Sequence, residues 1–530
     1  MKNKKSLISF MAAVLSCSVA LSACGGGKTE GTGGVASGAA SGSSSDKKVK
    51  ITMFQAGSYS QTAPVPKAED DPIRAMLEKS ANIDLQMTVP QPGQENNTLN
   101  TLIASGDIPD MIFFKDKTTA VQYYDQGVLA DLDDIVKKYN TFYGHFKPNA
   151  WDALKYKGKL IGTPGYELVQ GINGWWIRND WLKKLNLKVP TTTDELLEVM
   201  KAFTTKDPDG NGKDDTYGFV TGVLKDGSFV NQNAVLGIET VMWMFGVNPN
   251  TVDIKDNKLV IDNVDPRMKE AVTFLNKMVS EKVIDPDWVS ISDSNAVAQK
   301  FYKGKVGVII RDWRSLEPAT TDKMKEVGGE VPDWIAIAPP KGPSGEQILG
   351  LENLQSNMWS ISKKAAADPE KMKRIFDMLT YWYTDKDAYP YFSYGIKGIN
   401  WDMKDGKLVR MVPSKEDNDK YLWTGHYKMP RKADDAVYYN FQNPRTEEFQ
   451  KIYQKYVKSN TANGFVVPDT NDSLFKDREK YVNEMLLKFI TGKESLANWD
   501  NYVKTLDSKF NQKGYVDNVT KQLKDQGILK

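Results

Sequence analysis

The segment Lys48-Val49-Lys50-Ile51-Thr52-Met53-Phe54 predicts a buried strand, because it alternates in polarity and then becomes apolar. A helix capped by Asp71 follows it. The next elements are a strand at Ile83-Asp84-Leu85-Gln86-Met87, a helix over 97–105 and an apolar strand at Met111-Ile112-Phe113-Phe114. Strands and helices that alternate in this way predict a parallel α/β sheet.

The same alternation recurs later in the chain. Trp175-Trp176-Ile177 predicts a strand, 194–206 a capped helix and Val306-Gly307-Val308-Ile309-Ile310 a second buried strand. Two surface hairpins are predicted, at 252–262 and 401–412. The chain has 530 residues, several times a usual domain of about 100–150, so two α/β lobes are expected.

The N-terminus predicts export and a lipid anchor. Lysines at the head precede an apolar run from Leu7 to Leu21 and then Ser22-Ala23-Cys24, a pattern typical of a secretory signal peptide. A cysteine in this position is similar to the lipobox of bacterial lipoproteins, which places a diacylglyceryl group on the thiol. We expect a signal peptide over 1–23, a lipid on Cys24 at the outer face of the cell membrane and a flexible Gly/Ser tether over 24–46. The alternative is an ordinary signal peptide in which this cysteine is incidental.

Composition excludes several classes of function. Without its three signal lysines the chain has 67 basic and 68 acidic residues, so it lacks the basic character of a nucleic-acid-binding protein. The two cysteines, Cys17 and Cys24, lie in the signal peptide and at its cut, which leaves no disulfide or thiolate metal site. His145 and His426 lack metal-ligand spacing, and esterase and P-loop motifs are absent.

Six short strings occur in order along the chain. They are Ile103–Asp110, Gly127–Leu132, Gly158–Pro164, Trp176–Leu182, Lys303–Gly307 and Gly395–Asn400. Together they resemble landmarks of extracellular solute-binding protein family 1, the lipoprotein components of carbohydrate ABC importers.

This resemblance implies an α/β, two-lobed, periplasmic-binding-protein-like (type II) fold. Three hinge crossings are expected near 165–172, 338–349 and 386–396, with the ligand in the cleft between the lobes. Lobe one is expected over 47–167 plus 345–388, and lobe two over 170–338 plus 395–530. Closure of two lobes around a ligand is a known class of hinge motion.

The loop from Asp207 to Asp215 has the spacing of a calcium-binding loop. Asp207, Asp209, Asn211 and Asp215 place oxygen side chains at positions 1, 3, 5 and 9, and Lys213 offers its backbone carbonyl at position 7. The loop departs from the EF-hand pattern at position 12, where a glycine replaces the bidentate glutamate. We predict a structural Ca²⁺, the alternative being a solvated Asp/Gly/Asn turn; no organic cofactor is expected.

Aromatic and polar residues beside the predicted strand ends and crossings form a candidate sugar site. Sugars present apolar faces and hydroxyl rims, so they need flat platforms and fixed polar groups. The candidates are Tyr59, Trp175, Arg311, Trp313, Glu352, Asn353, Trp359, Trp401 and Trp423. Each tryptophan has a core role as its alternative, whereas Trp181, Trp288 and Trp334 are expected in the core outright.

The sequence therefore predicts a non-enzymatic, monomeric binding protein that captures an oligosaccharide and delivers it to ABC permease subunits. A carbohydrate sensor or adhesin with the same fold is an alternative. A polysaccharide hydrolase, which needs two carboxylates about 5–10 Å apart, is a weaker one.

Overall fold

The structure is a computed structural model. It describes residues 47–165, 173–223, 238–352, 357–428, 443–459, 462, 465–466 and 472–530. The predicted signal peptide and tether, and Cys24 with them, lie outside these residues. Lys48–Lys530 forms one compact unit. Across the described residues no helix has the length and apolar character needed to cross a membrane.

The first sheet is built around the three parallel strands that the sequence predicts. Its strands in spatial order are Ile83–Thr88, Val49–Gln55, Met111–Phe114, Met358–Ile361 and Thr163–Pro164. The first three pair in parallel, and Met358–Ile361 runs antiparallel to Met111–Phe114. The α/β prediction is confirmed, and a late segment of the chain completes the sheet.

Local capping explains where the first helix begins. The Asp71 side chain accepts a hydrogen bond from the backbone N–H of Arg74 at 2.9 Å, and Pro72 occupies the first helical position. The helix Pro72–Ala81 buries Ile73, Leu77 and Ala81, and it packs against the helix Pro369–Thr384. The predicted helix over 97–105 is observed at Glu95–Ala104.

The second sheet has the strand order Trp334–Ile337, Asn173–Arg178, Val306–Asp312, Tyr217–Phe219. Asn173–Arg178 runs antiparallel to both of its neighbours, and Tyr217–Phe219 is parallel to Val306–Asp312. Every residue of Asn173–Arg178 is buried, because the strand is central and covered on both faces.

Each sheet has its own hydrophobic cluster. The first-sheet cluster includes Ile51, Phe113 and Trp382, and the second-sheet cluster includes Trp176, Phe203 and Leu275. Trp423 and Tyr427 pack in the first-sheet cluster, although the sequence placed 395–530 in lobe two.

The remaining elements surround these sheets. The α-helices are Pro72–Ala81, Glu95–Ala104, Lys117–Asp125, Asp133–Val136, Asn140–Tyr143, Pro148–Asp152, Asn179–Lys184, Thr193–Thr205, Ile238–Trp243, Pro266–Ser280, Ser294–Tyr302, Pro318–Gly328, Lys363–Ala366, Pro369–Thr384, Tyr389–Tyr394, Lys415–Lys420, Pro444–Tyr456, Phe475–Ile490, Trp499–Phe510 and Gln512–Asp525. Short strand pairs are Lys155–Tyr156 with Lys159–Leu160, Val252–Lys255 with Lys258–Ile261, Gly350–Glu352 with Val457–Ser459, and Trp401–Lys404 with Lys407–Arg410.

Both predicted hairpins are confirmed. In the second, Asp405 and Gly406 have φ values of +51° and +73°, the left-handed pair that a tight two-residue hairpin turn requires.

Candidate functional site

A cavity of about 410 Å³ opens where two parallel strands of the first sheet end. Its lining includes Phe54, Ala56, Glu95, Asn96, Phe113 and Lys115. Phe54 and Phe113 belong to the buried core, whereas Glu95, Asn96 and Lys115 bring charged and amide groups. The carboxyl edge of a parallel sheet is the usual ligand side of an α/β fold, so this cavity is the candidate functional site.

Two of the lining residues, Glu95 and Lys115, form an ion pair. The Lys115 Nζ lies 2.6 Å from Oε1 of Glu95, and Gln61 bridges the two by donating to Glu95 at 3.1 Å and accepting from Lys115 at 3.1 Å. Burial alone would raise the pKa of Glu95, but hydrogen bonds from Lys115, from its own backbone N–H and from Gln61 lower it to about 2. Glu95 therefore stays ionised over the physiological pH range and offers fixed acceptor oxygens beside a fixed ammonium.

The loop after the first strand is held by a segment far along the chain. Ser58 Oγ lies 2.8 Å from Nδ1 of His426, and the Tyr59 N–H donates to the Gly425 carbonyl at 3.2 Å. Ser60 packs closely on Gly425. A Cβ added to residue 425 would lie 2.1 Å from the hydroxyl oxygen of Ser60. Tyr59 is 59% exposed beside this anchor.

The predicted tryptophan platforms are mostly enclosed. Trp175 and Trp359 are fully buried, and Trp401 is 3% exposed. Trp359 lies inside a central strand and meets Phe113 edge to face, with ring centroids 4.9 Å apart. In this structure these three rings are core residues that present no face to a ligand.

Trp313 and Trp423 are also largely buried, at 8% and 9% exposure. Trp423 meets Tyr427 edge to face in the first-sheet cluster, and Trp313 packs in the second-sheet cluster with Arg314 over its ring. Trp181, Trp288 and Trp334 are buried, as predicted.

Among the polar candidates, Arg311 is not one of the residues that line the cavity. Arg311 is half-buried near the end of Val306–Asp312, with its guanidinium carbon 5.0 Å from the Phe301 ring centroid. Glu352 ends a short strand that pairs with Val457–Ser459, and Asn353 lies outside the described residues.

Two carboxylates of the predicted calcium loop, those of Asp209 and Asp215, form ion pairs with Lys305. Asp207 accepts hydrogen bonds from the backbone N–H groups of Gly210 and Gly212 at 2.9 and 3.0 Å, and these bonds lower its pKa. Lys305 lies 2.7 Å from a carboxylate oxygen of Asp209 and 3.0 Å from one of Asp215.

The loop fits a hard cation by its donor chemistry. Asp209 and Asp215 converge on one positive charge, the ammonium of Lys305, and the side chains of Asp207 and Asn211 add further oxygens. Asn211 also donates to Asp209 and Asp215, while the backbone carbonyl of Lys213 completes the predicted donor set. In the described part of the chain, no three Asp, Glu, His or Cys side chains form a ready metal cluster.

Comparison with known proteins identifies the family. The model of the bacterial extracellular solute-binding protein family matches residues 56–389. The chain belongs to this family. A solute-binding protein is a transport component, so the prediction that the chain is not an enzyme is confirmed.

Two curated relatives come from Bacillus subtilis. Lipoprotein LipO is 30% identical over 393 residues, covering 74% of this solute-binding protein and 73% of LipO. The polygalacturonan/rhamnogalacturonan-binding protein YtcQ is 24% identical over 482 residues, covering 87% and 89% of the two chains.

Solved structures share the fold. The Streptococcus pneumoniae substrate-binding protein FusA in complex with kestose superposes with a TM-score of 0.63 at 19% identity, covering 91% of this chain and 99% of FusA. An EF-hand mutant of FusA in complex with fructo-nystose gives 0.61 at 19% identity, with the same coverage. The match confirms a solute-binding-protein fold over most of the chain.

The sequence analysis of this solute-binding protein did not single out Glu95 and Lys115, which line the candidate site. Lys115 and Asp116 directly follow the apolar strand Met111–Phe114, so their position at the carboxyl edge was a usable signal. Glu95 opens a helix and carried no such signal, because only the packing of that helix beside the sheet brings it to Lys115.

Proposed function

We propose that this protein is the lipid-anchored binding component of a carbohydrate ABC importer, and that it captures an oligosaccharide at the cavity beside Glu95 and Lys115. The observation that carries the proposal is this cavity, with charged and amide groups in its lining, on the ligand side of a solute-binding fold. The names of YtcQ and FusA, which refer to polysaccharide and fructooligosaccharide binding, support a carbohydrate as the ligand.

The cavity has the chemistry that a sugar needs. The carboxylate of Glu95 accepts hydrogen bonds from hydroxyl groups, and the ammonium of Lys115 and the amide of Asn96 donate to them. Tyr59, exposed on the adjoining loop, supplies a ring for an apolar sugar face. The carboxylate of Glu95 and the ammonium of Lys115 are held by each other and by Gln61, which reduces the ordering cost of binding.

Closure of two lobes on the ligand completes the proposed mechanism. One lobe is built on the first sheet and the other on the second, with crossings near 165–172, 338–349 and 386–396. Because Trp423 and Tyr427 pack in the first-sheet cluster, we extend lobe one to include 422–427. The closed form then docks on ABC permease subunits, and the lipid on Cys24 keeps the protein near them.

Calcium is proposed as a structural ion. Asp207, Asp209, Asn211 and Asp215, with the carbonyl of Lys213, would hold it, and the FusA structure whose title names an EF-hand mutant supports a loop of this kind in the fold. The ion would stabilise the turn and take no part in ligand binding, since the loop leads into a strand of the second sheet, whereas the cavity lies at strand ends of the first.

The experiment is a binding screen by tryptophan fluorescence and calorimetry with neutral and acidic oligosaccharides. We expect at least one to bind and to emerge chemically unchanged by chromatography. Lys115→Ala should weaken binding by roughly tenfold or more, the value of one hydrogen bond to a charged group. If no carbohydrate binds a folded, calcium-supplied sample, the proposal is wrong.

A further inference from the structure

Arg311 lies near the C-terminal end of Val306–Asp312, an inner strand of the second sheet. It pairs in register with Gly174, next to Asn173, the first described residue after 166–172. At the other end of that segment, Gly165 donates to the carbonyl of Asn357, beside the first sheet. Arg311 therefore lies close to the proposed crossing between the lobes.

The Arg311 guanidinium has no hydrogen-bond partner among the described residues. Its Nε and Nη1 atoms are enclosed without an acceptor, and it forms no ion pair in this part of the chain. The adjacent carboxylate of Asp312 does not serve it, because Asp312 accepts from Arg314 Nε at 3.0 Å and caps the backbone N–H of that residue at 2.9 Å.

Aromatic rings hold the guanidinium in place of hydrogen bonds. Its central carbon lies 5.0 Å from the ring centroid of Phe301 and 5.9 Å from that of Tyr302. Stacking of this kind fixes the plane of the group and leaves its N–H donors unused. The residue as a whole is only half-buried, and Nη2 is not among the enclosed nitrogens, so Nη2 is the atom at which a ligand would meet the guanidinium.

The positive charge of Arg311 has no ion-pair partner among the described residues, so an anion that meets it at Nη2 gains a charge-assisted hydrogen bond. A carboxylate matches the guanidinium in charge, and one of its oxygens accepts a charge-assisted hydrogen bond from Nη2. A neutral sugar hydroxyl supplies one acceptor and no charge, which makes a carboxylate the better match.

We propose that Arg311 binds the carboxylate of a uronic-acid residue, so that the ligand is an acidic oligosaccharide. This inference rests on the proposed function, since it assigns the class of sugar that the same cleft takes. Arg311 then serves as the anion contact on the second sheet, while Glu95 and Lys115 bind hydroxyl groups on the first.

The test compares trigalacturonate with its fully methyl-esterified form, which is uncharged but otherwise alike. Calorimetric titration of the full chain should show a preference of roughly tenfold to a hundredfold for the acid. Arg311→Gln should abolish the preference by weakening binding of the acid much more than binding of the ester, and Arg311→Lys should retain part of the preference. Arg374→Gln removes a half-buried arginine that is ion-paired with Glu370 and is the matched control for net charge.

Three outcomes overturn the inference. Equal binding of acid and ester, or binding of neutral oligosaccharides alone, would leave the proposed function intact and exclude a carboxylate ligand. A preference that survives Arg311→Gln would assign the anion contact to another residue. Arg311→Gln could instead lower the melting temperature while the folded protein keeps its preference for the acid over the ester. That result would show that Arg311 has a partner within the protein.

Discussion

The ammonium of Lys115 lies 2.6 Å from a carboxylate oxygen of Glu95, and Gln61 bonds to both partners. The first strand's loop, a helix and the third strand's end thus meet at one ion pair beside the cavity. Because Lys115 is 48% exposed, such a pair contributes at most about 1 kcal/mol to stability.

The first prediction separates binding from stability at this pair. Lys115→Ala should change the free energy of unfolding by less than about 1 kcal/mol while weakening oligosaccharide binding, measured by calorimetry. Lys157→Ala is the control, since Lys157 pairs with Asp125 at 3.0 Å and is similarly exposed. Equal loss of binding in both variants would argue against the cavity as the site.

The contact of Gly425 with Ser60 predicts a rescue experiment. Gly425→Ala should destabilise the protein by about 1–3 kcal/mol, because the new methyl group would overlap the Ser60 side chain. Adding Ser60→Gly removes that side chain and should recover most of the loss, measured by urea unfolding. If the double variant changed the free energy of unfolding by the sum of the two single changes, the two residues would not be in contact.

Glu239 predicts a dependence of stability on pH. Its side chain is buried, both carboxylate oxygens lack partners among the described residues, and burial raises its pKa to about 8 against the opposing effect of its backbone N–H. Below pH 4.5 both the folded and unfolded chains hold the proton. As pH rises from there to about 8, the unfolded chain releases it first, so the free energy of unfolding falls.

Glu239→Gln cannot titrate and should escape this loss. Relative to the unmodified chain it should gain a few kcal/mol between pH 5 and pH 9, measured from urea unfolding at each pH. Glu198→Gln, at an exposed position, is the control. If Glu239→Gln and the unmodified chain differed in free energy of unfolding by the same amount at pH 5 and pH 9, Glu239 would not have a raised pKa.

Lys305 predicts how calcium acts on its loop. Calcium should raise the melting temperature, and at a concentration 100 times its dissociation constant it should add about 2.7 kcal/mol of stability. Lys305→Gln should lower stability without calcium, because Asp209 and Asp215 would lose their shared cation, and it should enlarge the calcium response.

Asp209→Ala should remove most of that response, whereas Asp419→Ala, on a surface helix, should leave it unchanged. No change in melting temperature with either calcium or chelator would show that the loop binds no calcium.

The two cysteines offer a matched test of the anchor. Cys24→Ser should abolish labelling by radioactive palmitate and release the protein from the membrane fraction. Cys17→Ser changes the other cysteine and should leave both properties intact. Membrane retention of the Cys24→Ser protein would show that something other than this lipid holds it.

The sequence by itself determined the local elements and the family. Alternation at Lys48–Phe54, the cap at Asp71 and the turn at Asp405-Gly406 are each specified by neighbouring residues, and each is observed. The six short strings, in order along the chain, resembled landmarks of the family, and the family match confirms the resemblance.

Tertiary structure decided which residues meet. Trp175 gave no sign of its full burial, since a strand covered on both faces has no polar side in its pattern. Glu95 and Lys115, and Gly425 and Ser60, come together only when separate elements pack. Local propensity extends over a few residues, whereas a binding site is made of contacts across the chain, so its residues emerge only from the folded protein.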